Sequence, residues 1–182
     1  YPLKKTDLGD SSTSQDILIA GMFEKTNFLD LIQNFTVFEP MDGRTIKKIA
    51  RYQQFRAVHK SIERIKSGTD RKSKSGVIWH TQGSGKSLTM VFLTLKIRRD
   101  PELRDYKMVF ITDRTQLDTQ LTATFQNTQS ETIHHANSVK ELKELLQTDS
   151  SDIITAMVQK FQESADENEF PVLNDSSKII VL

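Results

Sequence analysis

The residues best suited to chemistry lie in the stretch GVIWHTQGSGKS, from position 76 to position 87. Two of its glycines, Gly83 and Gly85, let the main chain bend sharply, so that backbone N–H groups can approach the oxygens of a polyphosphate. Lys86 can reach the β and γ phosphates of a nucleotide, and the hydroxyl of Ser87 can bind Mg²⁺. The stretch therefore predicts a site for ATP and Mg²⁺.

The pattern G-x-x-x-x-G-K-[ST] fails only at its first position, where His80 replaces glycine. We expect His80 to line the loop, since one histidine without a partner identifies no reaction, and a catalytic base is the less favoured alternative. A chance lysine in a glycine-rich turn is the structural alternative for the whole stretch. The flanking sequence argues against that alternative. Residues 77–79 predict a short buried strand, and the apolar residues after the loop (Leu88, Val91, Phe92, Leu95) recur on one helical face.

Strand and helix patterns continue to alternate after the loop. Apolar segments predict strands at 107–112, 131–136, 152–158 and 178–182, and periodic segments predict helices at 114–125 and 138–148. Alternation of this kind is typical of a parallel sheet covered by helices on both faces. We therefore predict an α/β fold.

The first third of the chain has a different pattern. Residues 1–16 are polar and predict an arm or linker, and a helix is predicted from Asn27, with a turn at Asp42-Gly43. A second helix is predicted within the stretch 45–68, with apolar residues at helical spacing (Ala57, Val58, Ile62, Ile65) and Gly68 at its end. The stretch 67–76 has no apolar residue and predicts a mobile basic loop.

Composition limits the class of protein without identifying it. The 182 residues carry a net charge of +1, which indicates neither nucleic acid nor membrane as a partner. No cysteine is present, which excludes disulfides and fits a reducing cytoplasm, and no apolar run approaches the roughly 20 residues that span a bilayer. The chain begins without methionine and ends inside a predicted strand, so we expect a fragment of a soluble intracellular protein.

Several segments together resemble one family. GVIWHTQGSGKSLTM is similar to the phosphate loop of the restriction (R) subunit of type I restriction-modification enzymes, in which His-Thr-Gln-Gly-Ser-Gly-Lys-Ser is typical, so His80 is the expected form there. IARYQQFRAV (49–58) resembles the glutamine element of superfamily 2 helicases, and VFITDRTQLDTQL (109–121) resembles motif Ia. IITAMVQKF (153–161) and the connection at 28–54 also resemble segments of the R subunit.

The resemblance implies an incomplete RecA-like P-loop NTPase sheet, preceded by a helical connecting segment. Residues 1–43 would be a linker and helical connection from a missing nuclease domain. Residues 44–182 would be part of the N-terminal motor lobe, truncated before a DEAD-type motif. The whole subunit would be an ATP-dependent type I site-specific deoxyribonuclease of the bacterial or archaeal cytoplasm that translocates double-stranded DNA before cleavage. Its partners would be DNA and the methylation and specificity subunits, and the fragment alone is expected to be inactive.

The resemblance also assigns residues. Lys86 would be catalytic, Ser87 would hold Mg²⁺, and Gln54, with Gln53 as second choice, would contact adenine. The nucleotide-binding residues would be Gln54, Thr81, Gln82, Gly83, Ser84, Gly85, Lys86 and Ser87. Arg114 and Lys160 would contact DNA phosphates, although a base beside a strand end is often a helix cap or a surface pair.

Other residues and other functions are weaker candidates. Thr112 and Thr155 are weaker candidates for DNA phosphate contacts. His134 and His135 are adjacent like a pair of metal ligands, but adjacent strand residues point to opposite faces of the sheet and do not share an ion, so we assign them no role. The alternative functions are another superfamily 2 helicase or remodeller and a non-hydrolytic P-loop-like structural module.

Overall fold

The computed structural model describes residues 5–41, 43–113, 133–162 and 172–182, which divide into two units, Tyr1–Lys96 and Ile97–Leu182. The first unit contains α1 (Lys5–Leu8), α2 (Ser14–Met22), α3 (Lys25–Asn34), β1 (Thr36–Met41), β2 (Arg44–Ile49), α4 (Tyr52–Ser67), α5 (Arg71–Lys74) and most of α6 (Lys86–Arg99). The second contains β3 (Lys107–Thr112), β4 (Ile133–His135), α7 (Val139–Gln147), β5 (Ile153–Met157), α8 (Gln159–Gln162) and β6 (Ile179–Val181).

The predicted polar arm at 1–16 is wrong as a description of local structure, because it contains α1 and the start of α2. Thr13 caps α2: its hydroxyl accepts a hydrogen bond from the N–H of Asp16 at 3.2 Å, and the Asp16 carboxylate accepts one from the N–H of Thr13 at 2.9 Å. This reciprocal pair satisfies two N–H groups at the helix start. Polar residues at this point therefore begin a helix.

The turn at Gly43 joins two antiparallel strands, β1 and β2, with a register from Thr36 opposite Ile49 to Met41 opposite Arg44. Gly43 has φ +73°, a left-handed conformation that glycine adopts without a Cβ clash, so the predicted turn is confirmed at this residue. Asp42 lies outside the described residues. The two strands were not predicted, because their sequence has no regular alternation of apolar residues.

The helix predicted from Asn27 is confirmed as α3, and the helix predicted after the loop is confirmed as α6. The helix predicted over 45–68 is confirmed only from Tyr52, as α4, because residues 45–49 belong to β2 and pair with β1. The buried face of α4 contains Phe55, Val58 and Ile62, and Gly68 follows its last residue. The predicted loop at 67–76 is wrong in part, because α5 lies within it. Asp70 caps this single turn by accepting a hydrogen bond from the N–H of Ser73 at 2.8 Å.

A half-buried carboxylate connects three helices of the first unit. Asp30 of α3 accepts hydrogen bonds from His59 Nε2 of α4 at 2.7 Å and from Lys96 Nζ of α6 at 2.7 Å. Asn34 Nδ2 donates a third at 2.6 Å. Burial alone would raise the pKa of Asp30, but the hydrogen bonds from His59, Asn34 and Lys96, with the charge of Lys96, outweigh it and hold that pKa well below its usual range. The charged form of Asp30 therefore stabilises the fold.

The second unit is built on a parallel sheet with strand order β4-β5-β3-β6. One face packs against α7, where Val109, Ile154 and Ala156 surround Leu142. The strands predicted at 107–112, 131–136, 152–158 and 178–182 and the helix predicted at 138–148 are confirmed, as is the α/β fold class. The helix predicted at 114–125 lies outside the described residues.

One strand prediction is wrong. Residues 77–79 are in no strand, and Val77 and Trp79 are 91% and 88% exposed. Their apolar side chains suggested burial, but a strand also needs a neighbour that takes its backbone hydrogen bonds. Within the ranges that the structure describes, these residues pair with no strand.

Replacing Asp30 by asparagine should lower the free energy of unfolding by about 2 kcal/mol, because His59 and Lys96 lose the charged acceptor of a half-buried site. The pKa of Asp30 is depressed in the folded state, so its stabilisation is complete above the unfolded pKa of about 4 and is lost as the pH falls through the folded pKa. Urea unfolding of wild type and Asp30→Asn at neutral pH and below pH ~4 measures both effects. The exposed Asp10→Asn serves as control. A difference that does not shrink in acid would contradict the assignment.

Candidate nucleotide site

The phosphate loop makes a tight turn around its two glycines. Gly83 has φ +75° and Gly85 has φ +80°, both in the left-handed region. Between them, Ser84 donates to the carbonyl of Thr81 through its N–H at 3.2 Å and through its hydroxyl at 2.6 Å. Left-handed glycines in a short run form a concave backbone surface that binds anions through its N–H groups.

The helix that follows the loop adds further donors. The N–H of Thr89 donates to the carbonyl of Gly85 at 3.0 Å, which is the first helical hydrogen bond of α6. The N–H groups of Lys86, Ser87 and Leu88 precede it in the sequence, and N–H groups of a first turn have no partner within their helix. Together with the helix dipole they favour an anion at the loop.

The ammonium group of Lys86 lies over the loop. Its Nζ donates to the carbonyls of His80 and Thr81, both at 3.3 Å, and the side chain is exposed. These long contacts hold the positive charge beside the concave backbone. Ser87, the next residue, is half-buried at the start of α6.

His80 lies at the start of the loop and is half-buried. Its carbonyl accepts the hydrogen bond from Lys86. Its Nδ1 is buried and makes no hydrogen bond within the described part of the chain. A buried polar atom without a partner costs free energy, so this nitrogen is an unsatisfied group at the edge of the site.

Gln54 of α4 is brought directly against the loop. Its side chain is 3% exposed, and Nε2 donates to the carbonyl of Gly85 at 3.0 Å, while Oε1 accepts from the N–H of Arg51 at 2.8 Å. Gln53 is exposed and lines a separate cavity of about 390 Å³ beside Tyr52. Of the two glutamines, Gln54 is therefore the one that contacts the loop.

Sequence patterns missed one residue that shapes the site. Thr89 is buried, and its hydroxyl donates to the carbonyl of Gly85 at 3.1 Å, parallel to the hydrogen bond of its own N–H. The available signal was a threonine four residues after Gly85, a position from which the side chain of a helical residue can reach that carbonyl.

The predicted DNA contacts belong to the second unit, where Lys160 is half-buried in α8, and Arg114 lies outside the described residues. Thr155 is buried, and its Oγ1 lies 3.1 Å from Nδ1 of His135. Thr112 is also buried, and its Oγ1 makes no hydrogen bond within the described ranges. Buried hydroxyls of this kind do not face a DNA backbone in this conformation.

The two adjacent histidines have different neighbours, since His134 Nε2 lies 3.7 Å from Oδ1 of Asp152 and His135 contacts Thr155. In the part of the chain that the structure describes, no group of three His, Asp or Glu side chains could hold a metal ion.

The loop fits a polyphosphate. Open space lies where a Cβ would stand on Gly83, with no other atom within 4 Å, so a phosphate oxygen could approach the main chain there. The N–H groups at the start of α6 and the Lys86 ammonium supply complementary charge. Ser87 offers a hydroxyl oxygen, a ligand type that suits Mg²⁺.

Comparison with known proteins identifies the family. The family model described as SWI2/SNF2 ATPase matches residues 53–182, more than half of the chain. The chain belongs to the SWI2/SNF2 ATPase family. The match begins at Gln53 in α4 and includes the loop, so Gln54, Gly83 and Gly85 lie within the matched segment.

Individual relatives of this chain are named as type I restriction enzyme endonuclease subunits. The MjaIXP subunit of Methanocaldococcus jannaschii is 37% identical over 179 residues, which cover 96% of this chain and 17% of the relative. The HindI subunit of Haemophilus influenzae is 37% identical over 172 residues, covering 91% and 16%. A protein of Mycoplasma pneumoniae named as the C-terminal part of the MpnIIP subunit is 29% identical over 133 residues, covering 70% and 62%.

These comparisons confirm the predicted resemblance to type I restriction subunits. The chain spans about one sixth of the length of these two 37% identical relatives. None of the helices in the described ranges is long and apolar enough to cross a membrane.

Replacing each glycine of the loop by alanine separates backbone strain from crowding. Both have positive φ, so each substitution should cost about 1–2 kcal/mol. At Gly85 a Cβ would also lie 2.7 Å from Nε2 of Gln54, whereas at Gly83 it would meet open space. Gly85→Ala should therefore lower the free energy of unfolding more than Gly83→Ala, as measured in urea. Equal losses would show that Gln54 does not pack on Gly85.

Proposed function

We propose that this chain is the ATP-binding part of the motor of a type I restriction endonuclease R subunit, which couples ATP hydrolysis to translocation of double-stranded DNA before cleavage. The observation that carries the proposal is the loop at Gly83 and Gly85, with the Lys86 ammonium over it and the start of α6 behind it. The resemblance to restriction subunits supports the choice of motor among the functions that such a loop can serve.

In the proposed site the backbone of residues 81–85 and the side chain of Lys86 bind the phosphates, Ser87 holds Mg²⁺, and Gln54 belongs to the nucleotide site. ATP supplies the phosphoryl bond whose hydrolysis drives the motor. Lys86 offsets the charge of the phosphates that Mg²⁺ also contacts, which makes it the catalytic residue of this chain. Arg114 and Lys160 remain proposed contacts to the DNA backbone.

For the whole protein we propose that residues 1–43 connect a nuclease domain to the motor, and that residues 44–182 form part of the first RecA-like lobe. The partners would be double-stranded DNA and the methylation and specificity subunits of the same enzyme, in the cytoplasm of a bacterium or archaeon. The activity would be that of an ATP-dependent type I site-specific deoxyribonuclease. The length of the relatives leaves room for further domains, because each of the two 37% identical ones is about six times as long as the aligned segment.

Binding of Mg²⁺-ATP to the full-length protein tests the site. Lys86→Ala should weaken binding by about a hundredfold, since a charge-assisted contact to phosphate contributes about 1.5–3 kcal/mol. Titration calorimetry with and without Mg²⁺ measures it, and the exposed Lys60→Ala on α4 is the matched control. Equal and Mg²⁺-independent binding by wild type and Lys86→Ala would instead support a non-hydrolytic structural module.

The rate of ATP hydrolysis should differ between this chain alone and the full-length protein. The 182 residues alone should hydrolyse ATP slowly or not at all, because arginines of a second lobe normally stabilise the transition state. The full-length protein should show DNA-stimulated hydrolysis in a phosphate-release assay. Rapid DNA-stimulated turnover by the 182 residues alone would contradict the proposed division of the site between two lobes.

The family match also favours a second candidate, a superfamily 2 helicase or remodeller of another kind. A translocase on duplex DNA displaces the third strand of a triplex without separating the duplex beneath it. Displacement of a duplex strand by the full-length protein would favour the helicase.

A further inference from the structure

A concentrated positive charge precedes the phosphate loop in the sequence. Between positions 64 and 74 the chain has five basic residues and one acidic residue, a charge of +4 in a chain whose net charge is +1. We call this segment, from the end of α4 through α5, the basic face. Its basic residues are Arg64, Lys66, Arg71, Lys72 and Lys74. Like charges repel, so such a face is stabilised when an anion lies against it.

Contacts between α4 and α5 hold the basic face together. Arg64 Nε donates to the carbonyl of Ser73 at 2.9 Å and so joins the end of α4 to α5. The stem of Lys74 packs on Gly68, where an added Cβ would lie 2.6 Å from Cγ of the lysine. The positive groups are therefore carried by an ordered turn of the chain.

The one acidic residue of the basic face, Asp70, is used inside this turn. Its carboxylate accepts a hydrogen bond from the N–H of Ser73 at 2.8 Å, and this bond holds the pKa of Asp70 below its usual value. Arg71 and Lys72 are exposed, and within the described ranges of the chain they form no ion pair. Their charges are therefore available to an anion from outside the chain.

The composition of the basic face favours a phosphate backbone among the possible anionic partners. Membrane-surface helices and protein interfaces combine their charges with apolar or aromatic side chains, and residues 66–76 have neither. The exposed hydroxyls of Ser67 and Thr69 lie among the basic residues instead. Basic side chains and hydroxyls are the groups that contact phosphate oxygens in protein–DNA complexes.

The same composition favours a duplex over a single strand. Proteins that bind single strands stack the bases on aromatic rings, and the basic face has no aromatic residue. Contacts to a duplex backbone need only positive charge and hydrogen-bond donors.

We propose that the basic face is a contact surface for the phosphate backbone of duplex DNA, in addition to the proposed contacts at Arg114 and Lys160. It holds DNA without reading the sequence, because phosphate contacts carry no base information. This inference rests on the proposed function, in which duplex DNA is the substrate of the motor.

The salt dependence of DNA binding by the full-length protein tests the basic face. Wild type and the double variant Arg71→Gln, Lys72→Gln are titrated with fluorescent duplexes of two unrelated sequences at about 50 to 200 mM salt. Each phosphate contact contributes about 0.9 to the slope of log K against log[salt], so the slope of the variant should be shallower by about 1.8. The variant should bind both duplexes roughly fiftyfold more weakly at about 0.1 M salt.

Two control variants separate the position of the charges from their number. Arg71→Lys, Lys72→Arg keeps both charges in place and should bind both duplexes as wild type does. Lys25→Gln, Lys47→Gln removes two charges from exposed positions on α3 and β2 and should keep the slope of wild type. An equal loss of slope in this second control would show an effect of net charge alone and would contradict the inference.

The remaining outcomes distinguish the inference from the proposed function. Binding of Mg²⁺-ATP should be unchanged in Arg71→Gln, Lys72→Gln, which also establishes that the variant is folded. The inference is overturned by an unchanged salt slope, by a loss of affinity for only one of the two sequences, or by weaker binding to phosphatidylserine vesicles with unchanged duplex binding. Failure of the wild type to bind Mg²⁺-ATP would overturn the proposed function, while the salt slopes would still decide whether the basic face binds DNA.

Discussion

The arrangement of the first unit depends on the charge of Asp30. A carboxylate that loses much of its solvent needs compensation of its charge, and for the half-buried Asp30 the compensating groups come from two other helices, His59 from α4 and Lys96 from α6. These contacts fix α4 and α6 relative to α3. The nucleotide loop leads into α6, and Gln54 lies on α4, so the distance between Gln54 and Gly85 depends on helices that Asp30 holds together. The aromatic ring of Phe35 completes the cluster by stacking on His59, with ring centroids 5.7 Å apart.

Much of the fold could be predicted from the sequence, and the reason is periodicity. Buried faces at helical spacing predicted α3, α4, α6 and α7, and continuous apolar runs predicted β3, β5 and β6. The segment of β4 is different, since it has one isoleucine beside two histidines. The hairpin of β1 and β2 was missed because nearly all residues of β2 are exposed, so neither face of that strand carries an alternating apolar pattern. The segment 77–79 shows the opposite error: its composition indicates a strand, but pairing depends on a neighbour that local sequence does not specify.

The residues of the candidate site were not equally predictable from the sequence. Gly83, Gly85, Lys86 and Ser87 are recognisable because phosphate binding requires those residue types at that spacing. Gln54 was not recognisable in the same way, since a polar residue on a helix is commonly solvated, and its burial follows from contact with a residue 31 positions later. Only the resemblance to helicases drew attention to it. Thr89 shows the same limit at short range, because its hydroxyl could equally have faced solvent.

The two sides of the loop differ in the strength of their contacts, and this difference suits ligand exchange at the proposed nucleotide site. Beneath the loop, the carbonyl of Gly85 is held by buried donors at 3.0–3.1 Å. Above it, the exposed ammonium of Lys86 makes only long contacts of 3.3 Å to carbonyls. Hydrogen bonds weaken with length, and an exposed charge loses little when it changes partners. Phosphate oxygens could therefore replace the carbonyl partners of Lys86 at small cost, while the backbone that receives the phosphates keeps its conformation. Gln54 and Thr89 hold the backbone of the loop in place, and the ammonium of Lys86 can change partners. The proposed site could therefore bind phosphates without a rearrangement of the loop.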